Sequence, residues 1–327
     1  MNSASVPVAA LDILGFGEPM FEFSRLPGQT LWQEGIGGDV SNALVAAQRC
    51  GAHCAMFTAL GRDVFGQAIM ALWEREGIDT SRVIWRDNAP TGIYFITHEE
   101  SGHGKSEHEF TYRRAGSAAS LVVSADVRGA RIDEARVLHV SGISQAISPS
   151  ACDSVMVAMA RARSAGRLVS YDPNLRLKLW SLSEAQAALN QSLALCDIAL
   201  PGLDDMRLLS GLHEPQAIAE YCLRRGARVV ALTLGGEGAL VATPEGTKIL
   251  PAFKVTAVDA TGAGDTFDGA FLAEYLRGGD AFAAGNFANA AAALSTRGYG
   301  AVAPMPTWAV VKAKLAEAAA GVREPPS

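Results

Sequence analysis

Short apolar runs alternate with longer helical stretches in the second half of the sequence, and this alternation restricts the fold more than any other feature. Four runs are typical of buried or half-buried strands: 167–173, 197–202, 228–235 and 238–243. Four neighbouring segments have helical spacing and end near Gly or Pro: 152–165, 183–195, 204–210 and 214–225. The pattern predicts the α/β class, with a mostly parallel sheet sandwiched by helices.

Ligands of such sheets bind at the carboxyl ends of the strands. The residues that directly follow the predicted strands are therefore the first candidates for a site. These are Asp172, Asn174, Gly235 and Gly236.

Two segments interrupt the alternation. Residues 16–36 and 91–115 contain period-two patterns around turn residues, which predict antiparallel hairpins. Although they are far apart in sequence, the two hairpins are similar in character. We expect them to pair into a small second sheet that covers a cleft.

Composition narrows the function classes. The net charge of −6 argues against nucleic acid or an anionic membrane as the main partner. The five cysteines are scattered and odd in number, which is typical of free thiols in a reducing cytoplasm. No complete GxGxxG follows the first apolar run, so a dinucleotide oxidoreductase is disfavoured.

Residues 37–51, GGDVSNALVAAQRCG, combine two glycines with polar residues before an apolar helical stretch. The glycines allow the backbone to approach a ligand closely. Asp39, Ser41 or Asn42 can cap the helix that follows. The segment is either a capped helix after a turn or one wall of a binding site.

Arginines occur in two further places that bear on the substrate. Tyr112 and Arg114 alternate along a predicted strand and therefore share one face, whereas Arg113 points to the other. Arg176 follows the strand that ends near Asp172. Two such arginines in an acidic protein suggest a small anionic substrate, although each could also be a solvated surface residue.

The segment 259–271, DATGAGDTFDGAF, places a Gly-rich turn between a strand and a helix predicted to begin near Asp265 or Thr266. The amides of Ala263, Gly264 and Asp265 would point outward at the positive helix end, forming an anion hole for a transferring phosphoryl group. Asp265 would then lie close enough to take the proton of an attacking hydroxyl. Asp259 is expected to hold the turn or a cation, and Asp268 to be solvated or structural.

These motifs resemble the two signatures of the ribokinase-like (PfkB) carbohydrate kinases, and the resemblance covers essentially the whole chain. The stretches YRRAGSAAS, LHVSGISQAIS, DPNLRLKLW and ALSTRGYGAVAPMPT are similar to those of 2-keto-3-deoxygluconate kinases within that family. The resemblance implies a Rossmann-like kinase domain over residues 1–327, with 16–36 and 91–115 as a discontinuous β-lid. It also implies phosphoryl transfer from ATP to the 6-hydroxyl of 2-keto-3-deoxygluconate.

The resemblance further implies a role for individual residues. Asp265 would be the catalytic base, with Gly262, Ala263 and Gly264 as its anion hole. The sugar would be bound by Gly38, Asp39, Asn42, Tyr94, Tyr112, Arg114 and Arg176. The nucleotide would be bordered by Asn174, Thr233, Gly235, Gly236, Gly238, Gly262, Gly264 and Asn289.

The sequence departs from the family pattern at its expected metal motif. Gly202 stands where Asn is usual and Asp205 replaces Glu, so Mg²⁺ is expected to be held through water by Asp205, with Asp204 nearby. A K⁺ site formed by backbone carbonyls near Ala257 and Val258 and near 297–300 is a further possibility. The resemblance also implies a cytoplasmic homodimer or larger assembly formed through the lid.

Two other functions are compatible with this family resemblance. A fructokinase or ribokinase acting on a neutral sugar is the nearer alternative. A catalytically silent sugar-binding protein is the other, and the retention of Asp265 and of Gly262–Gly264 argues against it.

Overall fold

The computed structural model describes residues 11–25, 28–100 and 106–321. Residues 26–27 and 101–105, which belong to the two predicted hairpins, lie outside the described residues. The strands are β1 (Leu11–Phe16), β2 (Met20–Arg25), β3 (Gln33–Gly37), β4 (Cys54–Gly61), β5 (Val83–Arg86), β6 (Ile93–Glu100), β7 (Ser106–Arg113), β8 (Ala135–Ser141), β9 (Leu168–Asp172), β10 (Ile198–Ala199), β11 (Val229–Thr233), β12 (Gly238–Thr243) and β13 (Gly246–Pro251).

The helices among the described residues are α1 (Asp39–Arg49), α2 (Val64–Glu76), α3 (Gly142–Ala146), α4 (Pro149–Ser164), α5 (Leu182–Leu195), α6 (Leu203–Ser210), α7 (Pro215–Arg225), α8 (Ala263–Gly278), α9 (Ala281–Ser295) and α10 (Trp308–Gly321), with short 3-10 turns at Ala119–Leu121, Asp126–Ala130, Ile132–Glu134 and Gly235–Glu237. None of these helices combines the length and apolar character needed to cross a bilayer.

Nine strands form the large sheet, in the order β13-β12-β11-β10-β9-β8-β1-β4-β5. The strands from β11 to β5 pair in parallel, whereas β12 and β13 form an antiparallel edge. The predicted mostly parallel sheet is confirmed. Its two faces are covered by separate apolar layers, one with α4, α5 and α7 and the other with α1, α8 and α9. This arrangement is the predicted helix sandwich.

The two predicted hairpins form a second, four-stranded sheet in the order β3-β2-β6-β7. The strands within each hairpin are antiparallel, while β2 and β6 join the hairpins in parallel. Because side chains alternate between the faces of a sheet, Glu22, Tyr94 and Tyr112 lie on one face in adjacent register positions.

Helices α1 and α8 pack against each other unusually closely, and a glycine permits it. A Cβ atom on Gly269 would lie 2.0 Å from the carbonyl oxygen of Ala43 and 2.8 Å from the Cβ of Ala46. No larger residue fits unless the helices separate. This contact joins the two segments that sequence analysis singles out, because α1 begins at Asp39 and α8 at Ala263.

We expect Gly269→Ala to lower the free energy of unfolding by about 1–3 kcal/mol, because overpacking forces backbone shifts. Urea denaturation measures the change. Gly278→Ala in the same helix is the matched control, since a Cβ there meets no atom within 4 Å. Equal stabilities for the two variants would contradict the close packing of α1 and α8.

Candidate active site

A cavity of about 810 Å³ lies between the carboxyl ends of the central strands and the small sheet. Most of the side chains and glycines predicted to form the site line it. Those lining it are Gly38, Asp39, Asn42, Tyr94, Tyr112, Arg114, Asn174, Arg176, Asp205, Thr233, Gly262, Gly264 and Asp265. The structure thus brings together predicted residues from both signatures, the second hairpin and three strand ends.

Helix α8 begins at Ala263, two residues before the predicted start. Its N-cap is Gly262, whose left-handed φ of 74° favours glycine. The amides of Gly264 and Asp265 lie in the first turn, where a helix supplies no acceptors for its own N–H groups. These amides and the helix dipole make this end of α8 suitable for an anion.

The prediction that the amide of Ala263 points outward is wrong. This N–H donates to the carbonyl oxygen of Ala260 at 3.1 Å, because the turn that precedes α8 closes on itself. Ala263 does not line the cavity in the part of the chain that the structure describes. Of the three predicted amides, only those of Gly264 and Asp265 therefore stay candidates for an anion site in this conformation.

Asp265 is held by the other signature. Its Oδ2 accepts a hydrogen bond from Asn42 Nδ2 at 2.7 Å. Burial and the nearby Asp39 carboxylate raise the pKa of Asp265 to about 7, although the Asn42 hydrogen bond and Arg176 act in the opposite direction. A carboxylate with a pKa near neutrality suits a general base, because it is ionised above that pH yet basic enough to take a proton.

Asp39 and Asn174 support the floor of the cavity. Asp39 Oδ2 accepts from Asn174 Nδ2 at 2.8 Å, and the Asn174 amide donates to Asp172 Oδ1 at 3.0 Å. Burial, together with the charges of Asp39 and Asp265, raises the pKa of Asp172 well above its usual range. The strand end at Asp172 and the start of α1 are thus joined by one polar chain.

Asp268 is not solvated, contrary to one of its two predicted states. Its exposed fraction is 3%, and it lines the cavity one turn beyond Asp265. Burial and the charges of Asp172, Asp265 and Asp39 raise its pKa well above the usual range. Asp268 therefore holds its proton more strongly than an isolated aspartate.

Glu18 is a site residue that sequence analysis missed. Its fully buried carboxylate accepts from Arg114 Nε at 2.7 Å and from Ser117 Oγ at 2.6 Å, and it also contacts Arg114 Nη2. The guanidinium of Arg114 is therefore already paired with a carboxylate. The only sequence signal was an acidic residue directly after the first buried strand.

Arg176 differs from Arg114 in its surroundings. Its side chain is exposed at the cavity wall, and its Nη1 donates to the carbonyl oxygen of Leu175 at 2.8 Å. No ion pair links it to a carboxylate among the described residues. Lys178, which also lines the cavity, is a second exposed cation at this wall.

The aromatic side chains of the small sheet close the cavity from above. Tyr94 stacks on Tyr112 with ring centroids 5.8 Å apart, and Phe110 stacks on Tyr112 at 6.2 Å. All three line the cavity, so Phe110 joins the two predicted tyrosines. The hydroxyl of Tyr94 donates to Glu22, a second buried glutamate that sequence analysis missed.

The two acids of the expected metal motif have different environments. Asp205 lines the cavity and accepts from the Leu175 amide at 2.8 Å, and burial raises its pKa. Asp204 is exposed and pairs with Arg207 at 3.1 Å, so it does not face the site. Among the described residues, no group of three or more acids, histidines or cysteines is arranged as a metal site.

Asp259 fixes the turn before α8, in agreement with one of its two expected roles. Its Oδ1 accepts from the Thr261 amide and hydroxyl at 2.9 and 2.7 Å, and its Oδ2 accepts from the Gly300 amide at 2.9 Å. The signature turn is thereby tied to the loop that follows α9.

Some of the predicted nucleotide residues lie away from the cavity wall. Gly235 and Gly236 form an exposed 3-10 turn after β11, whereas Gly238 is buried at the start of β12. Asn289 donates to the carbonyl oxygens of Leu250 and Pro251 at 3.0 and 3.4 Å, and its exposed fraction is 7%. The assignment of these four residues to the nucleotide stays a prediction.

Comparison with known proteins establishes the family. The model of the pfkB family carbohydrate kinases matches residues 20–308. The chain is similar to a 2-dehydro-3-deoxygluconokinase of Thermoproteus tenax, with 33% identity over 307 residues, 91% of this chain and 93% of that protein. It is also similar to fructokinase-1 of Zea mays, with 30% identity over 315 residues, 91% of this chain and 96% of that protein.

The fold agrees with this assignment. A crystal structure of a PfkB protein from Polaromonas sp. JS666 superposes with a TM-score of 0.82 at 31% identity, covering 93% of this chain and 99% of that one. The chain belongs to the pfkB family of carbohydrate kinases. It is a sugar kinase with a ribokinase-like fold.

We expect Asp265→Asn to lower kcat by about 10²–10⁴-fold, since general base catalysis contributes that much. In the unmodified enzyme, kcat/KM should rise with pH up to about 7 and then level, because only ionised Asp265 accepts a proton. Steady-state rates measured from pH 5.5 to 9, with both substrates well below their KM, test this.

Asp204→Asn is the control for this substitution, since that carboxylate is exposed and outside the cavity wall. Its kcat should stay within about twofold of the unmodified enzyme. Retention of more than a tenth of kcat by Asp265→Asn would exclude Asp265 as the base.

Proposed function

We propose that this sugar kinase transfers the γ-phosphoryl group of ATP to the 6-hydroxyl of 2-keto-3-deoxygluconate, giving 2-keto-3-deoxy-6-phosphogluconate and ADP. The observation that carries this proposal is the position of Asp265. It stands at a helix end suited to an anion, in a cavity whose wall also bears the guanidinium of Arg176, which no carboxylate of the described residues pairs. Similarity to 2-dehydro-3-deoxygluconokinases supports the same substrate.

In the proposed reaction, Asp265 accepts the proton of the 6-hydroxyl as that oxygen bonds to the γ-phosphorus. The bond from this phosphorus to the bridging oxygen breaks, and ADP leaves. The amides of Gly264 and Asp265 would stabilise negative charge on the transferred group. Closure of the small sheet as a lid would exclude water, so that the sugar hydroxyl and not water attacks.

Asn42 supports a sugar beside Asp265. While its Nδ2 holds Asp265, its buried Oδ1 has no hydrogen-bond partner within the described part of the chain. Buried polar atoms in native structures are nearly always paired. A sugar hydroxyl that donates to this oxygen would satisfy it and would bring the substrate next to the base.

Arg176 is the better candidate for the substrate carboxylate. Glu18 already balances the charge of Arg114. The remaining N–H donors of that guanidinium would then be available to neutral oxygens. Arg176 has no such partner among the described residues and can form a charge-assisted pair with an anion. The carboxylate would therefore lie toward Arg176 and the acceptor hydroxyl toward Asp265.

Magnesium fits the residues present. Asp205 offers an oxygen ligand in the cavity, of the kind that Mg²⁺ prefers together with water. When bound, the ion would neutralise charge on the nucleotide phosphates. We assign no second protein ligand, because Gly202 has no side chain at the neighbouring position.

The proposal also assigns residues that would contact the nucleotide and K⁺. Asn174, Thr233 and Gly262 line the cavity and would border the phosphates, while Gly235, Gly236, Gly238 and Asn289 would bind the remainder of ATP. The hydrogen bond from the Gly300 amide to Asp259 brings together the two segments expected to bind K⁺. Rates compared in KCl and in NaCl test that site.

A kinase for a neutral sugar such as fructose is the second candidate. Six carboxyl side chains but only three cationic ones line the cavity among the described residues, which disfavours an anionic substrate. Similarity to a fructokinase supports it as well.

A homodimer formed through the small sheet is also proposed. Leu31 and Trp32 expose apolar surface beside β3, with exposed fractions of 78% and 38%. Light scattering should give twice the monomer mass, and a monomer at micromolar concentration would contradict the proposal.

An ATP-dependent metabolic kinase of this kind is expected in the cytoplasm.

A panel of gluconate- and galactonate-derived 2-keto-3-deoxy acids, fructose and ribose tests the substrate. A keto acid should have a kcat/KM at least about 100-fold above either neutral sugar, because only an anion pairs with Arg176. Arg176→Gln should raise the KM for that acid at least about tenfold, with the KM for ATP changed less than about threefold.

Arg207→Gln is the control variant, since Arg207 is exposed and pairs only with Asp204 among the carboxylates described. It should leave both KM values unchanged. Higher kcat/KM for fructose or ribose would overturn the assignment. Equal effects of Arg176→Gln on both substrates would overturn the role of Arg176.

A further inference from the structure

Glu22 and Tyr94 are cross-strand neighbours whose side chains meet below the small sheet. Glu22 of β2 lies opposite Tyr94 of β6 in the parallel register, and each has an exposed fraction of 6%. The Tyr94 hydroxyl donates to Glu22 Oε2. The phenol ring of Tyr94 lines the main cavity, whereas Glu22 lines a smaller cavity of about 210 Å³ behind it.

In this arrangement the hydroxyl of Tyr94 donates its proton to one acceptor, Glu22. Burial and the adjacent Glu22 carboxylate raise the pKa of Tyr94 well above its usual range, so the phenol stays protonated. A phenol has a single O–H donor and can also accept hydrogen bonds. Burial raises the pKa of Glu22, and the Tyr94 hydrogen bond acts in the opposite direction. In its ionised form Glu22 can only accept, so it takes the phenol donor and only the lone pairs of the Tyr94 oxygen remain for a ligand.

Packing keeps the hydroxyl in place. A Cβ on Gly37 would lie 2.2 Å from the Tyr94 oxygen, so the glycine leaves the space that this oxygen occupies. On the other side of Tyr94, the ring stacks against Tyr112. The phenol can therefore neither swing away from Glu22 nor turn its proton toward the cavity without breaking a buried hydrogen bond.

We propose that Glu22 is a positioning residue that makes Tyr94 a hydrogen-bond acceptor toward the sugar. The cavity then selects a sugar hydroxyl, which can donate, at the point facing Tyr94. It disfavours a carbonyl or carboxylate oxygen there. This inference rests on the proposed binding of the sugar in this cavity but not on which sugar binds. For a keto acid, it directs the keto and carboxylate groups away from Tyr94.

Substrate analogues test the direction of this hydrogen bond in the unmodified enzyme. The sugar with the highest kcat/KM is compared with analogues in which one hydroxyl at a time is replaced by hydrogen or by fluorine. The Tyr94→Phe variant identifies the sugar hydroxyl that faces Tyr94. In that variant, replacing this hydroxyl by hydrogen should lower kcat/KM less than about threefold. Fluorine cannot donate, so the fluoro analogue should be as poor as the deoxy analogue, at least about tenfold below the native sugar.

A fluoro analogue that keeps more than a third of the native kcat/KM at this position would overturn the proposal, because Tyr94 would then be the donor. Finding no hydroxyl whose contribution depends on Tyr94 would overturn it as well. The substrate panel alone decides whether the keto-acid assignment fails. Because the analogue series starts from whichever sugar has the highest kcat/KM in that panel, its result does not depend on the keto-acid assignment.

A double-mutant cycle tests whether Glu22 acts through Tyr94. Glu22→Gln should raise the KM for the sugar about tenfold, with the KM for ATP within about twofold, because the glutamine NH2 can donate to the phenol oxygen and so turn the phenol proton toward the sugar. In the Tyr94→Phe background, Glu22→Gln should change the sugar KM less than about twofold. Multiplicative effects of the two substitutions would show that Glu22 acts independently and would overturn the proposal.

Glu34→Gln is the matched control, since Glu34 lines the same smaller cavity but is exposed. It should leave both KM values unchanged. Circular dichroism of each variant confirms folding. If Glu22→Gln does not fold, the fluorine series in the unmodified enzyme still decides the proposal.

Discussion

The close approach of α1 to α8 is the constraint on which the site depends. Gly269 permits it, since any side chain there would meet the backbone of α1. The approach places Asn42 of the first signature 2.7 Å from Asp265 of the second. The proposed base, its hydrogen-bond partner and the proposed anion-binding end of α8 are consequently fixed by helix packing, not by flexible loops. Two segments more than 200 residues apart thus act as one site.

Charge is the second organising feature of this cavity. Carboxyl groups crowd its floor, and burial together with their mutual repulsion raises the pKa values of Asp172, Asp265 and Asp268. A floor whose carboxyl groups hold protons more strongly than isolated ones can receive a polyanionic nucleotide at a lower electrostatic cost. On the opposite wall, Glu18 and Glu22 each hold one polar side chain of the small sheet, Arg114 and Tyr94. Glu18 balances the charge of Arg114, and Glu22 draws the hydroxyl proton of Tyr94 away from the cavity.

Sequence reasoning located the large features because periodicity and strand ends are local signals. The parallel sheet, the two hairpins and the position of Asp265 at a helix start follow from such patterns. Glu18, in the turn after β1, and Glu22, in β2, were missed since a single acidic residue carries no sign of burial, and their partners are 96 and 72 residues away. The amide of Ala263 was misassigned because α8 begins two residues earlier than expected, which turns this N–H back into the preceding turn. Burial of Asp268 arises from tertiary packing, which no local pattern reveals.

In the proposed complex, Asp265 takes the proton of the sugar hydroxyl while Arg176 holds the other end of a keto acid. A crystal structure with 2-keto-3-deoxygluconate and a non-hydrolysable ATP analogue tests this arrangement directly. We predict the 6-hydroxyl oxygen within about 3.2 Å of an Asp265 oxygen and the substrate carboxylate on the Arg176 guanidinium. A substrate bound in the reverse orientation, with its carboxylate nearest α8, or one that contacts neither residue, would contradict it.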